Sequence, residues 1–146
     1  MQKIMYMKLP LHIELPRKTK PSKKIYLNMN TYRNLHFQLM NQAKVEFARL
    51  VHPMLEQWKR DHGIADTHYI MLEFIYFNGT RRLSDLANHC VIVDKFFSDC
   101  LVTEWIIPAD DYNTVREVFY KYGGYAKGDE HIQACIYFLL PREHAT

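Results

Sequence analysis

The segment spanning residues 80–111 contains acidic, amide and basic side chains at spacings suited to metal-assisted hydrolysis. At about 100° per residue, a helix here gathers four polar side chains in a narrow arc centred near Ile92: Asp85, Asn88, Lys95 and Asp99. The acidic pair Asp110–Asp111 follows the end of this helix. Clustered carboxylates repel one another unless a cation or a lysine offsets their charge. The spacing therefore predicts a divalent-metal site beside a cationic group.

The opposite side of the same helix is apolar, with a stripe formed by Leu86, Cys90, Val93, Phe97 and Leu101. An ordinary surface helix also has a polar face opposite an apolar stripe. In that case Lys95 and Asp99 would be a stabilising pair at i, i+4. A metal site and a solvated helix face both fit this pattern.

Hydrolysis of a phosphodiester needs an activated water and a cation that neutralises the developing charge on phosphate. Mg²⁺ prefers oxygen ligands and keeps several waters. We expect Mg²⁺, replaceable by Mn²⁺, to be bound directly by Asp85 and Asp111, with Asp94 or Asp110 completing the set. Lys95 is predicted to contact the scissile phosphate or the leaving oxygen.

Three neighbouring residues are supporting candidates. Asn88 is expected to orient water or to cap the helix rather than to bind the metal, and Asp99 to support Lys95. His89 lies near the acidic group, where a partly exposed helix residue is favoured over a general base. Ser84, Asp85 and Asn88 all equally suit a plain N-cap role.

These residues also carry a resemblance to a known family. The chain resembles the RusA-type crossover junction endodeoxyribonucleases, particularly the phage-encoded branch, in the runs Asp85-Leu-Ala-Asn88, Val93-Asp94-Lys95-Phe96-Phe97, Asp99-Cys-Leu101 and Ile107-Pro-Ala-Asp110-Asp111. The resemblance implies a small homodimer that cuts four-way DNA junctions with Mg²⁺ held by aspartates.

Two departures from the family pattern bear on catalysis. Ala87 stands where the second acid of the first motif is expected, and the Asn88–Lys95 spacing is about one helical turn longer than in the bacterial type. Asp94 is the candidate replacement for the missing carboxylate. The departure at Ala87 keeps open the alternative of a catalytically inactive protein that binds branched DNA. A host-directed interaction protein with the same fold is a second alternative. A nuclease for flaps or forks would differ only in its substrate.

The formal net charge is only +3, but the basic residues are unevenly placed, with a run from Arg17 to Lys24. Such a run beside acidic residues suits a protein that binds DNA phosphates. A solvated basic loop fits the run equally well. The predicted DNA-binding residues are Lys18, Lys20, Lys23, Lys24, Arg33, Arg81, Arg82, Lys121 and Lys127.

The hydrophobic pattern predicts one α+β domain over residues 1–146, with a mixed or antiparallel four-stranded sheet and helices on one face. The predicted order is β-α-β-α-β-β. It consists of a strand over Leu9–Leu15, a basic mobile loop at about 16–30, a helix from Tyr32 to about Arg60, a strand over His68–Phe77, the acidic helix, and strands over Thr114–Tyr122 and His131–Leu140. The last two strands are expected to form a hairpin, Asn30 to cap the long helix, and Pro53 to bend or split it.

Cysteine usage and the absence of long apolar runs bear on location. Cys90, Cys100 and Cys135 have no metal-binding spacing, and their odd number favours a reducing compartment. No apolar run in the sequence approaches the length of a membrane helix, and the first residues lack the pattern of a signal peptide. We therefore expect a cytoplasmic protein without a membrane partner, located in a bacterial host if it is phage-encoded.

Overall fold

The computed structural model of the protein describes residues 2–62 and 68–141. It contains a mixed four-stranded sheet, a separate two-stranded sheet and, within those residues, three helices. The elements are β1 (Gln2–Leu9), β2 (His12–Leu15), β3 (Lys23–Tyr26), α1 (Met29–Asn34), α2 (Phe37–His62), β4 (His68–Asn78), α3 (Leu86–Thr103), β5 (Val115–Tyr125) and β6 (His131–Pro141). The prediction of a single α+β domain is confirmed, and of the two predicted kinds of four-stranded sheet, mixed or antiparallel, the mixed one is found. None of the described helices has the length and apolar character needed to cross a membrane.

The four-stranded sheet has the order β1-β6-β4-β5. Strand β6 runs antiparallel to β1 and β4, whereas β5 runs parallel to β4. The predicted hairpin of β5 and β6 is therefore wrong, because β4 lies between them. Their connection crosses the carboxyl end of β4, where Ala126 N–H donates to the Asn78 carbonyl at 2.8 Å and Gly128 N–H to that of Gly79 at 3.0 Å.

The predicted first strand, Leu9–Leu15, matches only β2 and the last residue of β1, so the rest of β1 and all of β3 were missed. Strand β1 ends at Leu9, and Pro10, which has no N–H to donate, separates it from β2. Strand β2 pairs in antiparallel fashion with β3. The predicted basic loop at 16–30 therefore contains a strand and the start of α1, and its irregular parts are residues 16–22 and 27–28.

The predicted long helix is interrupted early rather than at Pro53. Leu35 has extended backbone angles, φ −90° and ψ 140°, and ends α1. The cap of α1 is Asn28, whose side chain accepts a hydrogen bond from Thr31 N–H at 2.8 Å, so the assignment of Asn30 as the cap is wrong. Helix α2 continues through Pro53 to His62, so the proline does not split it.

The predicted apolar stripe of α3 packs on the sheet. Val93, Phe97 and Leu101 are fully buried. The Phe97 ring meets that of Phe74 on β4 edge-on, with centroids 6.0 Å apart. Burial of each such side chain stabilises the fold by about 1.5–3 kcal/mol. This packing holds α3 in a fixed position on the sheet.

The other side of α3 is not a solvated face. Ile92, at the centre of the predicted polar arc, is fully buried, and so is most of Phe96. The Phe96 ring contacts Phe47 of α2, with centroids 5.7 Å apart. Helix α3 therefore lies between the sheet and α2, and its polar residues emerge in separate places instead of forming one row.

Candidate functional site

A cavity of about 810 Å³ opens beside the first turns of α3, at the carboxyl end of β4. Helix α3 connects the parallel strands β4 and β5, and ligands of such units bind at the carboxyl ends of the strands. We call this cavity the α3 cleft. Its ionisable lining residues come from α1, β4, α3 and the loops that lead into α3 and β6, and include Arg33, Tyr76, Arg82, Asp85, His89 and Glu130.

Asp85 is the N-cap of α3 and an exposed lining residue of the cleft. Its Oδ1 accepts a hydrogen bond from Ala87 N–H at 3.1 Å. The helix N-terminus stabilises a negative charge at this position. Asp85 therefore caps the helix and also presents a carboxylate to the cleft, which combines two interpretations that the sequence left as alternatives.

Asn88 has a structural contact. Its Oδ1 accepts the N–H of Asn30, on α1, at 3.2 Å. This bond ties α1 to α3 and helps to hold Arg33, which is on α1, at the cleft. The alternative that Asn88 caps α3 is wrong, because Asp85 is the N-cap, whereas the role of Asn88 in orienting water stays a prediction.

His89 is a partly exposed helix residue, as the sequence analysis favoured, and it packs against other residues of the cleft. Its ring stacks on that of Tyr76, with centroids 4.2 Å apart and planes inclined by 4°. Its Nε2 lies 2.7 Å from Ser84 Oγ. Burial lowers the pKa of His89, and the nearby charges of Glu130 and Asp85 only partly oppose this effect. The imidazole is therefore largely neutral near pH 7.

Glu130 and Tyr76 are cleft residues that the sequence analysis missed. The Tyr76 hydroxyl donates a hydrogen bond to Glu130 Oε2 at 2.6 Å. Burial and this bond raise the pKa of Tyr76, so the phenol stays protonated. No local signal marks Glu130, which follows a glycine turn. The strand order brings it here, because the β5–β6 connection must cross the end of β4.

Asp94 lies outside the cleft lining, and both of its oxygens are engaged. Oδ1 accepts a hydrogen bond from Ser98 Oγ at 3.0 Å, and Oδ2 accepts one from the Tyr120 hydroxyl at 2.6 Å. Burial raises the pKa of Asp94, and the charge of Asp110 raises it further against the effect of these bonds. Asp94 joins α3 to β5, which corrects its assignment as the replacement ligand in a common metal set.

Lys95 and Asp99 line a second cavity of about 700 Å³, between α3 and the α1–α2 region. Asp99 Oδ2 lies 2.8 Å from Lys44 Nζ on α2, so its ion pair is with Lys44 and not with Lys95. Lys95 is exposed. Since neither residue lines the α3 cleft, Lys95 is not placed to share a phosphate with Asp85.

Asp110 and Asp111 lie toward the opposite end of β4 from Asp85. Asp111 lies in the turn that leads into β5, where its side chain accepts a hydrogen bond from Asn113 N–H. In the same turn, the carbonyl of Thr114 accepts a hydrogen bond from Ile70 N–H, near the start of β4. Asp85 lines the cleft with Tyr76, which is about 20 Å along the strand from Ile70.

A Mg²⁺ ion sits about 2.1 Å from each ligand oxygen. Asp85 and Asp111 cannot both bind one ion across the length of β4. The predicted ligand set of Asp85, Asp94, Asp110 and Asp111 is therefore not assembled within one chain, and in the cleft the carboxylates are Asp85 and Glu130.

Within residues 2–62 and 68–141, the three side chains grouped closely enough to share a metal ion are His52, Glu56 and Glu104. His52 Nδ1 bonds the Glu104 carboxylate, while Nε2 lies 3.3 Å from Glu56 Oε1. Each nitrogen of the imidazole already faces a glutamate, so a metal ion would have to displace one of these contacts. Lys59 also donates to the Glu104 carbonyl at 2.8 Å. These four residues, here called the His52 cluster, form an ion-pair network joining α2 to α3.

The predicted DNA-binding residues divide into two groups. Arg33 and Arg82 line the cleft, and Lys24 Nζ lies 5.4 Å from the ring centroid of Tyr26, another lining residue. Strand β3 thus brings the basic segment to the rim. Among the other predicted DNA-binding residues, the exposed ones include Lys18, Lys20, Arg81 and Lys127, and Lys23 is half-buried.

Lys121 belongs elsewhere. Its Nζ lies 2.6 Å from Oε2 of Glu73, a buried residue of β4, and Tyr137 donates to the same carboxylate at 3.2 Å. Lys121 balances this buried charge on the sheet face that α3 does not cover. Lys121 therefore has a structural partner on this face and lies outside the lining of the α3 cleft, so its contact with DNA stays a prediction.

Comparison of the chain with protein-family models and with curated proteins gives no significant match. The function of the α3 cleft must therefore be judged from its chemistry. Two guanidinium groups suit phosphate oxygens, and a carboxylate is a donor that Mg²⁺ prefers. A half-buried neutral imidazole is suited to accepting a proton. The cleft brings these groups together around a space large enough for a nucleotide unit.

Proposed function

We propose that this protein is a Mg²⁺-dependent endonuclease that hydrolyses phosphodiester bonds in branched DNA, with the α3 cleft as its active site. The observation that supports this proposal is the presence of Asp85, Arg33 and Arg82 in one cavity. Arginine binds phosphate through paired hydrogen bonds, which fix the orientation of the group. The basic segment at the rim supplies further attraction for the DNA backbone.

The residues of the cleft fit a minimal Mg²⁺ site rather than a closed cage. Mg²⁺ in enzymes that act on phosphates is commonly held by one or two carboxylates together with substrate oxygens and water. Asp85 would provide the protein ligand for such an ion. When bound, the ion would neutralise charge that develops on the phosphate. Arg33, on α1, and Arg82, in the loop between β4 and α3, bind and orient the same phosphate.

The substrate part of the proposal is a four-way junction cut by a homodimer. A junction has approximate two-fold symmetry, and paired cuts require two sites related by a dyad. One chain provides one α3 cleft. Two chains in an isologous dimer would therefore match the symmetry of the substrate.

The test is cleavage of a labelled synthetic four-way junction, with linear duplex and flap DNA as controls, in the presence and absence of Mg²⁺. We expect paired cuts in the junction that require Mg²⁺. The Asp85→Asn protein should not cut, whereas Asp61→Asn, a matched change of an exposed aspartate on α2, should leave cutting intact. Mg²⁺-dependent cutting that survives Asp85→Asn would exclude the α3 cleft as the active site.

One observation favours a second function, binding of branched DNA without cleavage. The predicted aspartates are dispersed over the length of β4 instead of forming one cation site. Arg33, Arg82 and the basic rim suffice for phosphate binding without a metal. Tight junction binding that is independent of Mg²⁺, with no cutting by the unsubstituted protein, would favour this second function.

A further inference from the structure

Two hydrogen-bonded pairs in the α3 cleft lie next to each other. Ser84 Oγ lies 2.7 Å from His89 Nε2, and the Tyr76 hydroxyl donates to Glu130 at 2.6 Å. The stacked rings of Tyr76 and His89 join these pairs. The Ser84 hydroxyl also acts on the Tyr76 phenol, lowering its pKa against the larger effect of burial.

Stacking and hydrogen bonding together hold His89 in one orientation. The flat contact with Tyr76 prevents the ring from tilting, and the bond to Ser84 fixes its Nε2 toward an exposed hydroxyl. Ser84 is itself a lining residue of the cleft. A proton released in the cleft therefore has a short path through Ser84 to His89.

The charged groups around His89 set its protonation state. Glu130 faces it from the β5–β6 connection, Asp85 from its own helix, and Arg82 and Arg33 from the other walls of the cleft. Tyr76, from β4, remains protonated. Burial lowers the pKa of His89 despite the two carboxylates, so its nitrogen is free to accept a proton near pH 7.

We propose, on the basis of the nuclease function proposed above, that His89 is the proton acceptor of the reaction and that Ser84 passes the proton to it. A water in the cleft gives a proton to Ser84 Oγ while Ser84 gives its own proton to His89 Nε2. The water oxygen forms a bond to phosphorus, and the bond from phosphorus to the leaving oxygen breaks. The leaving oxygen takes a proton from solvent, and His89 later returns its proton to solvent.

The roles of the surrounding groups follow from this path. Tyr76 is a positioning residue, because it orients the imidazole without touching the water. Glu130 holds the Tyr76 hydroxyl and favours the imidazolium that forms after proton transfer. Asp85 favours the same imidazolium from the helix N-cap. The two carboxylates therefore offset part of the cost that burial imposes on the imidazolium.

The experiment measures single-turnover cleavage of the four-way junction between pH 5.5 and 9 for the unsubstituted protein, His89→Gln, Ser84→Ala and, as the matched control on α2, His52→Gln. The unsubstituted rate should rise with pH and level off, with an inflection below the ordinary histidine value. His89→Gln should lose that inflection and about 100-fold or more in rate at pH 7, with unchanged junction affinity. His52→Gln should keep both rate and inflection.

Ser84→Ala guards against a folding artefact, because Ser84 is exposed and the change is small. We expect this variant to lose about tenfold in rate while keeping the inflection, since water can replace the hydroxyl less effectively. Free imidazole should restore part of the rate of His89→Ala.

Three results would overturn the role of His89: a His89→Gln rate within threefold of the unsubstituted rate, an inflection that persists in this variant, or no response of His89→Ala to imidazole. An unchanged rate in Ser84→Ala would overturn the role of Ser84 in passing the proton. A failure of the proposed function is distinguishable, because the unsubstituted protein would then bind junctions without cutting them at any pH. That outcome would remove the nuclease function and the role of His89 together.

Discussion

The two ends of α3 each combine a histidine, a carboxylate and a cation, but they use them differently. At the amino end, Asp85, Arg33 and Arg82 line an open cavity, and His89 is half-buried against an aromatic ring. At the carboxyl end, His52 is bound by two glutamates, and Lys59 bonds the backbone of Glu104.

This difference separates chemistry from stability. The groups of the His52 cluster satisfy one another across α2 and α3, so little of their charge is left for a ligand. The groups at the amino end retain charge that can be used by a phosphate or a proton. The same residue types therefore stabilise the fold at one end of the helix and form the candidate site at the other.

The largest expected effect tests the carboxylates of the two ends. Asp85→Asn should reduce junction cleavage by about 100-fold or more, because the charge needed by the cation is lost. Glu104→Gln should leave cleavage within about twofold and lower stability instead, because His52 and Lys59 lose a charged partner. Cleavage rates and urea unfolding of both variants provide the measurement. Loss of cleavage in Glu104→Gln without loss of stability would reverse the comparison.

Asp94, near the middle of α3, tests where the structural part of the helix begins. Asp94→Ala should lower the free energy of unfolding by about 1–3 kcal/mol, because the part-buried hydroxyls of Tyr120 and Ser98 lose their acceptor. Asp94→Asn should cost less, since one oxygen remains. Urea unfolding measures both. If either Asp94 variant keeps full stability but no longer cleaves DNA, Asp94 is a catalytic residue after all.

The cations of the two ends should differ in their effect on DNA affinity. Arg33→Gln combined with Arg82→Gln should weaken junction binding about tenfold. The slope of log affinity against log salt concentration should fall by the amount that about two phosphate contacts contribute. Lys59→Gln combined with Arg60→Gln removes the same charge from α2 and should leave the salt dependence nearly unchanged. Binding titrations from 50 to 200 mM salt make the test. Equal losses for both double variants would mean that only net charge matters.

The smallest effect is a pH dependence of opposite sign at the two histidines. The Glu104 hydrogen bond raises the pKa of His52 above 6.5, so its stabilising effect is complete below pH 6.5 and is lost as pH rises through the raised value. Burial lowers the pKa of His89, so the contribution of this residue to stability is complete above pH 6.5, where the imidazole is neutral. That contribution is lost as pH falls through the lowered pKa.

Unfolding by urea at pH 5.5 and pH 8 checks these signs. His52→Gln should lose the decline on the alkaline side, and His89→Gln the decline on the acidic side. The same sign in both variants would mean that their environments do not differ in the way described.

The sequence pattern was sufficient for elements with a clear period. The apolar stripe of α3 and the strands β4 and β6 follow directly from it, because burial on one face imposes that spacing. The pattern was insufficient for the order of the strands, which depends on which strands pair with each other. A period of two marks β5 and β6 as strands without revealing that β4 lies between them.

The candidate site shows the same limit. Asp85 was predictable, because its type and position before an apolar run favour an N-cap with an available carboxylate. Glu130 was not, because only the strand order places its loop beside Tyr76. The polar arc on α3 was misleading, since a helix packed on two sides divides its polar residues among separate surroundings.

The position of β6 in the sheet has a consequence for how the protein is made. Strand β6 comes last among the described strands, yet it lies between β1 and β4, and its pairing joins Lys3 with Tyr137. Contacts so distant in sequence form late and slow folding. During synthesis, β1 stays unpaired in this sheet until β6 has been made. Glu130 reaches Tyr76 at the same stage. A chain emerging from the ribosome would therefore complete its sheet and its cleft together.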